Sequence, residues 1–369
     1  MSGKSLRYAE REDSLRGQNT DGRINAVIYP EITQDGIRTY IRNINKFLDL
    51  PVMPCRSHIL SPRQFLGGVP KGFDLVHVPN FLVPLNSGNA KIVCTIQDII
   101  PIVARGNLNM LQEQYVHFRI RWSVKKADHL IFTSESTLRD VEMVFGKVKS
   151  YSVIPLGVDD PISSDQIPGS PYPFPYFFSV GRRRKHKNIE GILRAFAQAM
   201  QGTEARIVFG GKEDIHDADW RRLAQNLGIG DRVRFSGFLT REELAAHYHH
   251  ALGLVFPSLY EGFGLPILEA MSYGCPVIAS NLSSMPEVAG EAALLVDPHD
   301  HKAIAGAMVR MARENDLREK LIEKGHANLK RFSWETTARR TAEVYNRLLA
   351  GSFGKKPETL SARKVTVYG

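Results

Sequence analysis

The sequence predicts an α/β protein whose two doubly wound domains face each other across a cleft. Short β-branched or aromatic runs such as INAVIYP and ARIVFGG alternate with helical-period stretches such as IEGILRAFAQAM. This alternation is typical of parallel sheets wrapped by crossover helices. The length of 369 residues exceeds what one hydrophobic core usually serves. Between the two halves, the stretch DDPISSDQIPGSPYPFPY is rich in proline, serine and glycine, which predicts an interdomain linker.

The same patterns divide the chain into successive segments. The stretch SWETTARRTAEVYNRLL predicts an amphipathic helix capped by Ser333, and the residues after Gly351 are polar and basic. The predicted segments are a polar N-terminal extension (1–22), a first domain (23–159), the linker (160–176), a second domain (177–332), a terminal helix (333–350) and a mobile basic tail (351–369).

Composition narrows the classes of protein that the chain can represent. Its three cysteines, Cys55, Cys94 and Cys275, form no CxxC pair, which favours a reducing, cytoplasmic compartment over a disulfide framework or a zinc site. The first residues lack the apolar region of a signal peptide, and we expect no membrane span of about 18 apolar residues. The net charge of +9 is spread along the chain, so we expect no nucleic-acid partner.

A glycine-rich turn between two carboxylates, EGFGLPILE, is the first candidate site. A strand ends before Glu261, and a helix with Pro266 at its first position follows, so Gly262 and Gly264 would let a phosphate approach the helix N-terminus. A carboxylate about 4 Å from a phosphate costs about 4 kcal/mol at an effective dielectric constant of 20. We therefore expect Glu261 and Glu269 to accept from hydroxyl groups, one on a hexose and one on a ribose, on either side of a diphosphate.

A basic loop that follows a strand and opens a helix, GRRRKHKNIEG, is the second candidate site. Arg182 and Lys187 can both reach a diphosphate leaving group, whose developing charge they would neutralise without a metal ion. The alternative is a solvated basic loop, because Arg183, Arg184 and Lys185 crowd the same place and cannot all bind one ligand.

Together these motifs resemble the retaining nucleotide-sugar glycosyltransferases of the GT-B fold, specifically glycosyltransferase family 4. The resemblance runs from Ile24 to Leu349 and includes VIPLGVD and FSWETTARRTAEVY. It implies two Rossmann-like domains, and a terminal helix that packs back on the first domain. It also implies that Glu261 lies near the donor sugar, Glu269 on the ribose, and the Arg182–Lys187 pair on the diphosphate. The predicted donor-binding residues are Gly36, Gly181, Arg182, Lys187, Glu261, Gly262, Phe263, Gly264, Leu265 and Glu269.

The first domain departs from the pattern of its relatives at two positions. Arg38 stands where relatives often have a second glycine after Gly36, and Gln97 stands where they usually have histidine. Glutamine is neither a cation nor an efficient proton shuttle. With Asp98 as the only acid nearby, we expect no enzyme nucleophile, and transfer on one face of the sugar with proton transfer to the leaving phosphate oxygen. The predicted catalytic residues are Gln97, Asp98, Arg182, Lys187 and Glu261.

The resemblance implies a hexosyltransferase without metal or cofactor. Within this family the sequence most resembles mannosyltransferases. This resemblance favours GDP-mannose as donor and a glycan or lipid-linked acceptor in polysaccharide or lipopolysaccharide biosynthesis. Two alternatives stay open at this point: a GT-B-like nucleotide-sugar 2-epimerase, which needs no acceptor, and a catalytically silent nucleotide-binding module. A dehydrogenase is disfavoured because no G-x-G-x-x-G follows the first strand.

Three other polar groupings have structural interpretations. Asp217 and Asp219 are expected to cap a helix and lie in its first turn, and the histidines at 247, 249 and 250 are expected at the surface. The stretch YVHFRIRWSVKKADH is expected to be a core helix with a solvated basic face formed by Arg119, Arg121, Lys125 and Lys126. The alternative for this helix is peripheral contact with an anionic membrane, on the inner face of the plasma membrane.

Overall fold

The computed structural model describes residues 25–31, 35–54, 65–69, 71–103, 109–214 and 216–351. The predicted extension (1–22), Cys55 and all but the first residue of the predicted tail lie outside the described residues. Two parallel sheets organise the rest. The first sheet contains β1 Ala26–Glu31, β2 Val52–Pro54, β3 Leu75–Val78, β4 Lys91–Ile96, β5 His129–Phe132 and β6 Tyr151–Val153. The second contains β7 Tyr176–Val180, β8 Arg206–Gly210, β9 Val233–Gly237, β10 Gly253–Phe256, β11 Val277–Ser280 and β12 Ala293–Val296.

Helices cover both faces of each sheet, as crossover connections between parallel strands require. Those of the first half are α1 Asp35–Leu48, α2 Ile100–Val103, α3 Met110–Lys126 and α4 Glu135–Phe145. Those of the second half are α5 Ile189–Ala199, α6 Asp217–Asn226, α7 Arg241–His250, α8 Leu265–Ser272, α9 Met285–Ala289, α10 His301–Arg313, α11 Asn315–Leu329 and α12 Trp334–Leu349.

Strand order confirms the predicted pair of doubly wound sheets. Over the described residues the orders are β2-β1-β3-β4-β5-β6 and β12-β11-β10-β7-β8-β9, with parallel pairing throughout. Central strands such as β3 and β10 are buried along their whole length, which explains their continuous apolar sequences. In the second sheet the order reverses between β7 and β10. Ligands of doubly wound folds bind in the crevice at the carboxyl ends of strands at such a point.

The terminal helix α12 packs on α1 and β4 of the first domain. Inside this contact, the ring of the buried His77 lies 2.6 Å from Tyr345 Oη and 2.7 Å from Thr95 Oγ1. Burial lowers the pKa of His77 to about 3, so the ring is neutral in this network. The chain crosses between the domains beside α12, where a Cβ at Gly157 would lie 2.2 Å from the backbone nitrogen of Trp334. Only glycine fits at this crossing.

The carboxyl-terminal part of the segment predicted as a linker packs against the second sheet. Tyr172 and Phe174 stack with ring centroids 5.0 Å apart, and the Arg206 guanidinium lies 3.9 Å from the Phe174 centroid. Strand β7 begins at Tyr176, one residue before the predicted start of the second domain. The other predicted boundaries stay predictions.

Some surface expectations are wrong because the side chains find apolar or ionic partners. His247 is buried, its ring stacks on Phe178 at 4.8 Å, and burial lowers its pKa to about 4. Arg119 is fully buried beneath the Phe65 ring and donates to Tyr115 Oη at 2.9 Å, so it forms no solvated face. The other expected surface residues of these two groups are exposed: His249, His250, Arg121, Lys125 and Lys126.

The Asp217-Ala218-Asp219 stretch opens α6 as expected, but the capping position belongs to His216 and not to Asp217. Asp217 instead accepts two hydrogen bonds from Arg183. Among the described residues no helix is both long and apolar enough to cross a membrane.

Candidate functional site

Both candidate motifs lie at the carboxyl ends of β7 and β10, where the strand order of the second sheet reverses; this place is called the switch point. The loop after β7 carries the basic residues 181–187, and the loop after β10 carries Glu261 and the glycine turn. Because β7 and β10 are neighbours, the two loops start side by side. Asn188 ties them together: its side-chain nitrogen donates to Pro257 O at 3.1 Å and Pro298 O at 2.7 Å, while its oxygen caps α5. This role of Asn188 was not predicted, although an asparagine just before a helix is typical of a capping residue.

Lys187 and Glu261 form the centre of the site. Lys187 Nζ lies 2.6 Å from Glu261 Oε1, and only 17% of the lysine side chain and 9% of the glutamate side chain are exposed. The ammonium also lies 4.8 Å from the centroid of the Phe256 ring, a cation–π contact. Gly181, with φ of +128°, lets the chain turn within van der Waals distance of the lysine. The residue predicted to bind the diphosphate, Lys187, and the residue predicted to bind the sugar, Glu261, are therefore in direct contact.

Two arginines of the basic loop form ion pairs with aspartates near the start of α6. Arg183 is buried and makes a bidentate pair with Asp217, with distances of 2.7 and 2.6 Å, and Arg184 lies 3.5 Å from Asp214. Both therefore brace the loop against the start of α6. Arg182 is exposed and lines a small pocket with Gly181 and Lys187. Arg182 and Lys187, the two residues predicted to bind the diphosphate, therefore line one pocket, which Arg183 also lines.

The glycine turn is held by a serine pair from the second domain. Ser284 Oγ donates to Glu261 O at 3.0 Å and Phe263 O at 2.7 Å, and Ser283 Oγ donates to Glu261 O at 2.6 Å. Nothing in the EGFG motif itself pointed to these serines. Gly264, with φ of +109°, caps α8, and Pro266 is the second residue of the helix, not the first.

Two other predicted ligands in this turn take mainly structural roles. Phe263 is buried with its ring edge-on to Phe332 at 5.9 Å, and Leu265 packs against the same core cluster. Their contribution to a donor site is to fix the turn.

Glu269 lies about one turn into α8 and contacts a different partner. Its Oε2 accepts from the buried Tyr248 Oη at 2.9 Å. Burial raises the pKa of Glu269, while the hydrogen bond from Tyr248 opposes the rise. The two glutamates therefore have separate partners: Glu261, in the turn before α8, contacts Lys187, and Glu269, within α8, contacts Tyr248. Tyr248 was not singled out from the sequence, because its distance of 21 residues from Glu269 carries no local signal.

Gly262 meets the first domain, a contact that was not predicted from the sequence. A Cβ at Gly262 would lie 2.1 Å from Gln97 O and 2.6 Å from Asp98 Cβ. The Gly262 carbonyl accepts from Ser134 Oγ at 2.8 Å. The glycine therefore permits the two domains to touch at the site.

The first domain contributes Gln97 and Asp98 after β4. Gln97 Nε2 is buried and has no hydrogen-bond acceptor among the described residues, and the absence of a side chain at Gly36 leaves space beside Gln97 Oε1. Asp98 accepts from the backbone amide of Ile100 at 3.0 Å. The pKa of Asp98 is raised to about 6, mainly by burial; Glu261 acts in the same direction, whereas the Ile100 amide and Lys187 oppose the rise. The carboxyls of Asp98 and Glu261 and the ammonium of Lys187 thus form one electrostatic group drawn from both domains.

Comparison with known proteins agrees with this architecture. A family model described as Glycosyltransferase Family 4 matches residues 27–160, and one described as Glycosyl transferases group 1 matches residues 163–328. The O-antigen chain mannosyltransferase B of Escherichia coli is 31% identical over 306 residues, which are 79% of this chain and 79% of that protein. A serotype-specific mannosyltransferase of the same organism, WbdA, is 29% identical over 76% of this chain, which spans only 37% of its length.

Solved structures share the fold. A sucrose-phosphate synthase from Thermosynechococcus elongatus matches 89% of this chain and all of its own with a TM-score of 0.72 and 22% identity. Anabaena HepE in complex with UDP and glucose matches 88% of this chain and 99% of its own with a TM-score of 0.70 and 16% identity. The two sheets, the switch-point site and the relatives together confirm the predicted fold: the chain is a GT-B glycosyltransferase and belongs to glycosyltransferase family 4.

Proposed function

We propose that the protein is a retaining hexosyltransferase that moves mannose from GDP-mannose to a glycan or lipid-linked acceptor in the biosynthesis of a surface polysaccharide or lipopolysaccharide. The observation that carries the proposal is the 2.6 Å contact between Lys187 and Glu261 beside Arg182 at the switch point. The curated relatives described as O-antigen mannosyltransferases support the sugar and the pathway class. HepE, which was solved with UDP-glucose, supports a nucleotide diphosphate donor.

In this mechanism the donor diphosphate replaces Glu261 as the ion-pair partner of Lys187. A phosphate oxygen beside Lys187 and Arg182 leaves Glu261 to accept from a sugar hydroxyl, while Glu269 accepts from the ribose. The bond between the sugar C1 and the phosphate oxygen breaks, and the acceptor oxygen bonds to C1 on the same face. The acceptor proton moves to the departing phosphate oxygen, so no enzyme nucleophile and no metal ion is needed. Arg182 and Lys187 stabilise the charge that develops on the diphosphate.

A thermal-shift screen of nucleotide sugars tests the donor. A ligand present at 100 times its Kd adds about 2.7 kcal/mol to the free energy of unfolding. We expect GDP-mannose to raise Tm more than UDP-glucose, UDP-N-acetylglucosamine or GDP at equal concentration. A larger shift with a UDP-sugar would replace the proposed donor. Sugar conversion without an acceptor would favour the epimerase alternative, which the relatives do not favour.

Glu269→Ala is expected to raise the donor KM about tenfold with kcat changed by less than about twofold, because a ribose contact is the same before and during bond cleavage. Steady-state kinetics at saturating acceptor measures both constants. Tyr248→Phe, which removes only the hydroxyl that donates to Glu269, serves as the matched control and should shift KM less. An equal loss of kcat and kcat/KM in Glu269→Ala would contradict a ribose role.

Gln97→Ala is expected to lower kcat/KM only about 3 to 15-fold, because one neutral hydrogen bond to a sugar hydroxyl contributes about 0.5 to 1.5 kcal/mol. The unpartnered Nε2 supports such a contact. Gln97→His restores the residue that relatives usually have and should retain most activity. A loss above about 10³-fold in Gln97→Ala would mean that the amide takes part in the chemistry.

We also propose peripheral binding to an anionic membrane through one face of α3. Leu111 and Phe118 are exposed on this face, followed along the helix by Arg121 and Lys125. Cosedimentation with vesicles should therefore be stronger for phosphatidylglycerol than for phosphatidylcholine. The double variant Arg121→Glu with Lys125→Glu should lose most of this preference, since each cation near an anionic surface contributes about 1 kcal/mol. Equal binding to both vesicles would contradict the proposal.

A further inference from the structure

The amino-terminal turn of α4 in the first domain receives a carboxylate from the second domain. Glu287, on α9, accepts from the backbone amides of Glu135 at 3.1 Å and Ser136 at 3.3 Å. These amides have no partner within the helix, since the first turn of any helix lacks carbonyls to bond. A carboxylate at this end is also favoured by the helix dipole.

The start of α4 makes further contacts with the second domain. The Gly262 carbonyl accepts from Ser134 Oγ at 2.8 Å and from Thr137 Oγ1 at 3.2 Å. One turn further along α4, Asp140 Oδ2 accepts from Tyr260 Oη at 2.8 Å. Three separate points of the second domain therefore converge on the first two turns of α4.

These contacts are continuous with the candidate donor site. Tyr260 and Gly262 are the residues on either side of Glu261, whose carboxylate holds Lys187. Glu287 lies on α9, and Ser284, the residue that caps this helix, donates to the carbonyls of Glu261 and Phe263. A displacement of either domain at this turn would move the backbone that carries Glu261.

We propose that the amino-terminal turn of α4 is the closing contact of the cleft, and that Glu287 is a positioning residue that holds Glu261 in place from the far side of this contact. The inference rests on the proposed function only for its kinetic readout. It assigns the closed arrangement to a contact between helix ends, with no substrate atom involved.

The chemistry of the contact suits an interaction that can break without a large cost. Burial raises the pKa of Glu287, and the nearby Glu135 acts in the same direction, while Arg139 and the two amides oppose the rise. Desolvation of the carboxylate thus offsets part of the stabilisation that the amides provide. The carbonyl of Glu287 also accepts from Arg331, which fixes α9 at the second domain while its side chain crosses the cleft.

Small-angle X-ray scattering combined with kinetics on the full chain tests the inference. Glu287→Ala is expected to increase the radius of gyration and to lower kcat about tenfold, equivalent to about 1.4 kcal/mol, while the Kd for GDP changes less than about twofold. Glu287→Gln keeps an acceptor oxygen and should retain more of kcat than Glu287→Ala. The control Glu291→Ala removes an exposed ion pair with Lys324 near α9 and should match the wild type.

Tyr260→Phe removes the hydrogen bond to Asp140 of α4. Like Glu287→Ala, it should increase the radius of gyration. If both contacts serve one closure, their combined effect on the radius of gyration should be less than the sum of the single effects. An unchanged radius of gyration in Glu287→Ala would overturn the proposal. Equal losses of Tm and kcat in the alanine and glutamine variants would also overturn it, since they indicate a structural role. Scattering does not depend on turnover, so absence of mannosyl transfer would count against the proposed function alone.

Discussion

Replacing Lys187 by alanine is expected to lower kcat by about 10² to 10³-fold, with a smaller change in donor KM, because charge on the leaving diphosphate is greatest late in bond cleavage. The side chain is mostly buried, so water replaces the ammonium poorly. Its loss also leaves the Glu261 carboxylate without its ion-pair partner. Steady-state kinetics with GDP-mannose measures both constants.

The matched variant is Lys187→Arg, which keeps the charge but changes its shape and reach. It should recover part of the kcat that Lys187→Ala loses. Because Lys187 lowers the pKa of Asp98, its removal should move that pKa above about 6. A kcat within about threefold of the wild type for Lys187→Ala would remove the lysine from the proposed chemistry.

Gly262→Ala is expected to reduce kcat/KM by about 10²-fold or more, because misplacement of a catalytic group by about 1 Å can cost that much. The added Cβ would lie 2.1 Å from Gln97 O, which is backbone and cannot rotate away. The turn that carries Glu261, or the whole second domain, must therefore move. Kinetics and scattering together measure the two consequences.

Gly306→Ala is the control for this substitution. Gly306 lies within α10 with open space around its Cβ position, so alanine there should stabilise the protein by about 0.5 to 1 kcal/mol without affecting turnover. Wild-type scattering and activity for Gly262→Ala would contradict the close interdomain contact.

Local patterns in the sequence predicted the elements that position the site. Alternating strand and helix periods predicted both sheets, and glycine and proline at strand ends predicted the turn at Glu261. Arg182 and Lys187 were chosen from a crowded loop because a guanidinium and an ammonium there can reach a diphosphate, and the resemblance implied the same role. In the structure Arg183 pairs with Asp217 and Arg184 lies near Asp214.

Contacts between distant segments were beyond the same reasoning. Glu287 reaches α4 across 152 residues of sequence, and Tyr248 finds Glu269 through packing of neighbouring helices. The burial of His247 and Arg119 was missed because helical spacing does not reveal which aromatic rings lie opposite. The contact of Gly262 with the first domain was not predicted, because sequence cannot distinguish a ligand from the other domain as the neighbour of a glycine.

We propose that this chain transfers mannose from GDP-mannose with retention and without a metal ion. Nuclear magnetic resonance of the products from GDP-mannose and octyl α-mannoside, with EDTA present, tests it most directly. We predict GDP release that depends on the acceptor, a new α-mannoside, and the same rate with and without EDTA. A β-linked product, or a rate abolished by EDTA and restored by manganese, would contradict the account.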